Sequence, residues 1–492
     1  QNTATIQLNG SETITGLTQD TDSGTWKYVG SSVSIKDWGV TDYYNLTISG
    51  TNALTLAGNN LVAGALSITA GTFTTNVYTN TVTGLTTVSG GVYSENGGTA
   101  QTFNGGITIS GGTYTPNTGV IDVNGNVTIS SGTLTATTST FTVSGDWSKT
   151  GGTFSHASAI VTFDGSGTQT LDSGGTSFYS LTHSGSGTLS LVNNTLTTAT
   201  NGTLTNSGGI LSLNGQNLTV TTVANFSNTA TMQLIGSETV SLTQDTNSGT
   251  WKYVGDGDSA ADTYTVKDFG ATDYYNLTIA GTDSADNFQL GAASVVAGTQ
   301  TVSGGSYVPG SWQLTAAALT ISGGTFTGSS GIIDVNGSLV LSSGTLTAPN
   351  ASFTVSGDWT KTSGTFTPGT YTVTLDGAST QSLNSGGTSF YNLTHSGAST
   401  VSLSSNALTA SNNLTNSGGV FYLAGQNLTV TATFSNTATM RLIGSETMTL
   451  TQDTDSGTWQ YYGDGDSAAD TYTVKDFGVT DYYHLTIAST DT

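Results

Sequence analysis

The stretch VIDVNGNVTISSGTLTATTST (Val120–Thr140) runs without a break into FTVSGDWSKTGGTFSHASAI (Phe141–Ile160), VTFDGSGTQTLDSGGTS (Val161–Ser177) and FYSLTHSGSGTLSLVNN (Phe178–Asn194). These segments are 21, 20, 17 and 17 residues long, and each carries short apolar–polar alternations such as VTIS, FTVS and LSL. Alternation with period two is the mark of a strand with one face buried. Gly-Gly, Asn-Gly, Ser-Gly and Asp-Gly pairs separate the runs, and glycine supplies the positive-φ corners that other residues resist. No helical period competes. The stretch reads as short strands joined by tight corners, returning to an equivalent point about every 20 residues.

A longer repeat encloses this one. NTATIQL at Asn2 returns as NTATMQL at Asn228 and NTATMRL at Asn436, spaced by 226 and then 208 residues. Each copy continues through GSET and TQDTDSGTW or TQDTNSGTW (from Thr18, Thr243 and Thr451) to KDWGVTDYYNLTI, KDFGATDYYNLTI or KDFGVTDYYHLTI (from Lys36, Lys267 and Lys475). From Asn45 to Gly119 the first copy advances 74 residues, whereas from Asn276 to Gly331 the second advances 55. The surplus of 19 is about one short unit. A globular core rarely accepts such an insertion, but a solenoid absorbs one added coil because every other coil keeps its neighbour.

The expectation is an all-β fold: a parallel β-solenoid, a right-handed β-helix with coils of about 20 residues. It divides into a first long repeat over 1–227, a second over 228–435 and a partial third over 436–492, all in one continuous solenoid. At about 4.8 Å per stacked strand, about two dozen coils would make a rod on the order of 120 Å long. A row of Greek-key sandwiches is the alternative, although two-residue hairpin turns at regular spacing do not recur. Because the chain starts and stops inside a repeat, further copies are expected in a longer protein.

Composition agrees with a thin, elongated core. Of 492 residues 35% are hydrophobic, only 8% are charged, and there are 66 glycines and 4 prolines. The net charge of −23, from 31 acidic and 8 basic residues, leaves too few cations to displace the counterions of a nucleic acid or to hold an anionic membrane surface. No apolar run is long enough to insert in a membrane. With no cysteine there are neither disulfides nor thiolate metal sites.

TVSGDWSKTGGTFSHASAIVTFDGSGTQTL (Thr142–Leu171), TVSGDWTKTSGTFTPGTYTVTLDGASTQSL (Thr354–Leu383) and the FYSLTHSG and FYNLTHSG that follow resemble bacterial β-strand-repeat cell-surface proteins. They are loosely similar to filamentous-haemagglutinin-type adhesins and other secreted β-helices. The resemblance spans most of the chain and implies export, surface attachment or assembly. It transfers no catalytic residue.

β-Helix lyases and glycosidases make an enzyme the reading to test. The only arginine, Arg441, stands where earlier copies have Gln7 and Gln233, and Lys36, Lys267 and Lys475 repeat in frame before Asp37, Asp268 and Asp476. A feature present in every copy is better explained as a structural salt bridge or turn than as a site. His183 and His395 occupy equivalent LTHSG positions, His156 and His484 have no counterparts, and a surface or coil-corner role is expected for them. No catalytic residue and no required cofactor are assigned.

Two features remain site-like. DGDSAAD places Asp256, Asp258 and Asp262 together and, again, Asp464, Asp466 and Asp470, whereas the first copy omits it. Clustered carboxylates with an intervening glycine suit Ca²⁺, which takes about six to eight oxygens, and the ion would be a structural staple. The order departs from an EF-hand, and a solvated loop explains the same residues. The pairs Tyr43–Tyr44, Phe178–Tyr179, Tyr274–Tyr275, Phe390–Tyr391 and Tyr482–Tyr483 each precede an NLT, SLT or HLT strand, with Trp26, Trp251 and Trp459 recurring nearby. Adjacent strand residues face opposite ways, so one ring of each pair should enter the core and the other face solvent. The outer rings would then serve glycan binding or lateral packing, or the pairs simply fill corners. NxT triplets such as Asn45 and Asn217 arise by chance in so Thr-rich a chain, and the coils vary too much for an ice-binding array.

The sequence thus points to a non-enzymatic extracellular structural protein that self-associates into a cell-surface filament, fibre or layer. An adhesin for glycans or a host surface is the alternative, and a carbohydrate-active β-helix enzyme the third.

Overall fold

A computed structural model describes residues 1–488, so the last positions of the third repeat lie outside it. Among the described residues there is no helix. Hence none is long and apolar enough to cross a membrane. The chain is a parallel β-solenoid with coils of about 20 residues. It forms two compact units: Gln1–Leu234 with Glu238–Asp245, and Ile235–Ser237 with Thr246–Thr492.

In the first unit, strands mostly of three or four residues, with nine in Ile107–Thr115 and Val127–Thr135, pair in parallel with the strand one coil away. Leu46 stands opposite Leu66, Leu66 opposite Thr86, Thr86 opposite Ile107, Ile107 opposite Val127 and Val127 opposite Trp147. A second face stacks the same way in a nine-stranded sheet, from Asn60–Val62 through Ile121–Val123 and Phe141–Val143 to Phe226–Asn228. Parallel pairing at a one-coil offset is incompatible with hairpin-built sandwiches. The alternation works as the sequence requires: in Phe141–Val143–type strands the Phe and Val are buried and the Thr between them is partly exposed.

The second unit repeats the design with one coil fewer in the matching stretch. Its column runs Leu277, Gln300, Leu319, Leu339, Trp359, against Leu46, Leu66, Thr86, Ile107, Val127, Trp147 in the first. The 19-residue surplus is therefore one whole coil.

Aromatic clusters recur at equivalent places. Trp147, Phe154 and Phe178 meet at ring-centroid distances of 4.8, 5.3 and 5.4 Å, and Trp359, Phe366 and Phe390 at 5.0, 5.1 and 5.4 Å. A backbone corner sets one glycine apart. Gly444 has φ +125, and an added Cβ would lie 2.7 Å from the Tyr472 Cβ, so both conformation and space require glycine.

Candidate functional site

The phrase that recurs in every copy joins one coil to the next. Asp20 accepts the Asn2 amide, Asp245 the Asn228 amide at 3.1 Å and Asp453 the Asn436 amide at 2.8 Å. Each acceptor lies 17 or 18 residues from its donor, one coil along. Gln19 and Gln452 donate to the main-chain carbonyls of Asp42 and Asp481 at 2.8 and 3.0 Å. The GSET glutamate is another clip: buried Glu446 accepts the amides of Ile443, Gly444 and Gly425 at 2.8, 2.8 and 3.0 Å.

The KDWGVTDYY segment closes a second lock. The Lys36 amide donates to the Tyr28 hydroxyl at 3.2 Å, the two hydroxyls of Tyr28 and Tyr43 meet at 2.9 Å, and Tyr43 donates to the Lys36 carbonyl at 2.7 Å. Tyr253, Tyr274 and Lys267 repeat it at 3.0, 3.0 and 2.6 Å, as do Tyr461, Tyr482 and Lys475 at 2.9, 2.8 and 2.6 Å. The aspartates after those lysines form turns: Asp37, Asp268 and Asp476 each accept the amide of the glycine two residues on, at 2.9 Å. The preceding-strand acid is buried: Asp42 accepts the amides of Trp38 and Leu61 at 2.7 and 2.8 Å, and burial raises its pKa against the pull of those amides.

The aromatic pairs divide between core and surface. Tyr43, Phe178, Tyr274 and Phe390 are buried, while Tyr44, Tyr179 and Tyr391 are half-buried. Tyr275 is 37% exposed and Tyr483 54%, with Tyr482 half-buried beside it. Trp26, Trp251 and Trp459 lie in the core.

The expected surface position fails for two histidines. His183 and His395 are fully buried, because each falls on an inward strand position and continues a column of amides. His183 Nδ1 lies 2.9 Å from Asn206 Oδ1, and the Asn206 amide donates to Asn228 Oδ1 at 2.8 Å. His395, Asn416 and Asn436 repeat the ladder, at 2.8 and 2.8 Å. Because each asparagine uses its own NH₂ on the next, the imidazole carries its proton on Nδ1. Burial lowers both histidine pKa values, partly offset by the asparagine hydrogen bond. His156 is half-buried, and His484 is exposed.

Arg441, the residue a lyase reading would test first, donates to Gln460 at 2.7 Å and lies 4.7 Å from the Tyr462 ring centroid and 5.8 Å from that of Tyr422. Sequence reasoning overlooked the buried Gln169 and Gln381. Gln169 accepts the Gly165 amide at 3.0 Å and donates to the carbonyls of Val143 and Gly145 at 3.0 and 2.6 Å; Gln381 does the same with Gly377, Val355 and Gly357 at 3.0, 2.9 and 2.6 Å. Their recurrence in TQTL and TQSL was the available signal. Glu95, which stands where the second copy has Pro309, was also missed. It is buried beside Tyr93 and Tyr114 and accepts the Tyr114 hydroxyl.

The acidic loops separate into two arrangements. Asp464, Asp466 and Asp470 converge, all exposed. In the second copy Asp256 and Asp262 converge with Asp286, and Asp258 is not among them. Asp258 instead turns back to accept the Ala260 amide at 2.7 Å. Asp286 arrives from the next coil, where Asn287 pairs with Thr263 and donates its amide to the Asp262 carbonyl at 2.8 Å. Burial pushes the Asp286 carboxyl up; the nearby Asp262 amide pulls it back, and the charges of Asp283, Asp256 and Asp262 add to the rise. Tyr264, stacked on Phe288 at 5.4 Å, is pushed up to about 12 by burial and by the charges of Asp286 and Asp256.

Comparison of the chain with protein-family models, curated proteins and solved structures gives no match in any of the three.

Proposed function

We propose that the chain is a non-enzymatic structural segment of an extracellular filament, fibre or layer at a cell surface, working by self-association. One observation carries this reading: the polar residues that recur between copies are engaged in holding coil to coil. Asp20, Asp245 and Asp453 clip strand amides, the tyrosine pairs lock a main-chain segment, and the histidines sit inside amide ladders. A recurring catalytic or ligand-binding motif would leave those groups open to a substrate. The resemblance to β-strand-repeat surface proteins and haemagglutinin-type adhesins supports the same class. Few charges and 8 lysines plus arginines suit a durable, protease-resistant material.

The adhesin reading is kept by the outer rings of Tyr275 and Tyr483, which are 37% and 54% exposed. Cryo-electron microscopy of the protein released from its native cells separates the two. Uniform fibres or sheets are the expected result. Discrete particles ending in a distinct knob would overturn the filament reading and favour the adhesin.

A further inference from the structure

Asp286 presents a problem that the stacking of coils does not solve. The residue is fully buried, and neither carboxylate oxygen makes a hydrogen bond of ordinary geometry. A buried carboxylate is normally paired, hydrogen-bonded or bound to a metal. Asp286 instead points into a group with Asp256 and Asp262, their ligand oxygens all within 4.8 Å of one another. Asp256 and Asp262 also line an open pocket of about 510 Å³, so solvent and ions reach the cluster.

The sequence supplies an independent observation. Where the first copy reads VGSSVSIKD and TISGTNALTL, the second reads VGDGDSAADTYTVKD and TIAGTDSADNFQL. Both insertions are present in the second copy and both are missing from the first. Folded, they lie on adjacent coils, because Thr263–Val266 pairs with Asn287–Leu290. Their close approach is tight: a Cβ on Gly255 would fall 1.9 Å from Asp286 Oδ2. Two insertions that occur together and meet at three carboxylates have the form of a built site, one loop carrying Asp256 and Asp262 and the other Asp286.

We propose that Asp256, Asp262 and Asp286 bind a calcium ion that staples the 256–262 loop to the following coil, with Asp286 as the buried anchor. The donors are all hard oxygens, with no histidine or cysteine among them, which selects a hard dication. Lys267 lines the same pocket as Asp256 and Asp262, and a single ammonium does not offset three converging carboxylates. The loop turns at Gly255 and Gly257, each with φ +71, and an irregular set of carboxylates suits the larger, more loosely coordinated Ca²⁺ better than octahedral Mg²⁺. Water from the open side completes the shell. Asp258 does not converge with these three, and its carboxylate accepts the Ala260 amide. The exposed Asp464 cluster has no buried carboxylate of this kind among the described residues.

Isothermal titration calorimetry of the full chain, stripped with chelator and titrated with CaCl₂, tests the proposal. A saturable event is expected in the native protein. Asp286→Asn should weaken that event at least tenfold, and Asp258→Asn should leave it unchanged. Thermal unfolding provides the second measurement. Calcium should raise the native Tm but not that of Asp286→Asn, and in chelator the variant should be at least as stable as the native chain, because the uncompensated buried charge is gone. Native protein giving no heat, Asp286→Asn binding as the native chain does, or Asp258→Asn weakening binding equally would each overturn the site. A merely protonated Asp286 would give no calcium-dependent Tm difference between the two proteins, and that result also overturns it. The outcome is independent of whether the protein forms filaments, since calorimetry and microscopy read different properties.

Discussion

A single buried glutamate sets a pH dependence that one substitution can read. Glu95 is 3% exposed, and burial pushes its carboxyl up to about 7 from an ordinary 4.5, against the opposing pull of the Tyr114 hydroxyl and the Asn117 amide. The folded pKa lies above the unfolded one, so the folded state holds its proton more tightly. Its contribution to stability is complete below the unfolded value and is lost as pH rises through the folded value. Glu95→Gln keeps the hydrogen-bonding shape and cannot ionise. The variant should match the native chain near pH 4 and exceed it near pH 8 by on the order of 3 kcal/mol, at about 1.4 kcal/mol per pKa unit. Guanidinium unfolding of both proteins at the two pH values measures this. An equal difference at both would show that Glu95 ionises freely. Repetition drew attention to His183 and His395, though not to their burial. Glu95 falls where the second copy has Pro309, TVSGGVYSE against TVSGGSYVP, so no repetition marked it. Asp286 escaped for a different reason: its partners are close in space but one coil away in sequence, and a motif such as DGDSAAD suggests a ligand set confined to itself.

At the scale of the strand and its corner, the tyrosine lock is the strongest local device. An amide, two hydroxyls and a carbonyl form one chain of hydrogen bonds, and its members polarise one another. Tyr43→Phe would remove the bridge and leave the Lys36 carbonyl and the Tyr28 hydroxyl without it. The expected loss is about 1–3 kcal/mol, the penalty for buried groups left unsatisfied. Its neighbour Tyr44 is half-buried and has no role in the lock, so Tyr44→Phe should change stability by less than about 0.5 kcal/mol. Equilibrium denaturation of the two variants compares them directly, and equal losses would mean that the lock contributes nothing of its own. The strands themselves were legible because period two and corner glycines are local signals. The inward placement of one ring in four of the five pairs followed from strand geometry. The lock was not legible, since its hydroxyl partners come from residues separated by 7 to 21 positions and meet only once the coil closes.

Over the molecule as a whole, the repeats predict that coils are modular. The first unit already differs from the second by one coil in the matching stretch, and the ladder on either side is undisturbed. Removing residues 87–107 would take out one full turn: Thr108–Ile109 would follow Thr86, between Leu66–Ile68 and Val127–Ile129. Thr113–Thr115 would then rest on Thr72–Thr74, and Ile121–Val123 on Asn80–Val82. The deletion also removes Glu95, the partner of the Tyr114 hydroxyl, so Tyr114→Phe belongs with it; the second unit already has Phe326 below a tyrosine, Tyr307. Asn80 loses Tyr93 but keeps its bond to Asn60. The combined variant should fold with an unchanged β circular-dichroism spectrum and a Tm lower by less than about 10 °C, the shift that a few kcal/mol produce in a unit of this size. A half-coil deletion of residues 87–96 is the control. It shifts every following inward residue out of its column, which a solenoid cannot repair, and should yield unfolded or aggregated protein. If the full-coil deletion failed in the same way as the half-coil one, coils would not be independent units, and the one-coil difference between the copies would need compensating changes elsewhere in the first unit.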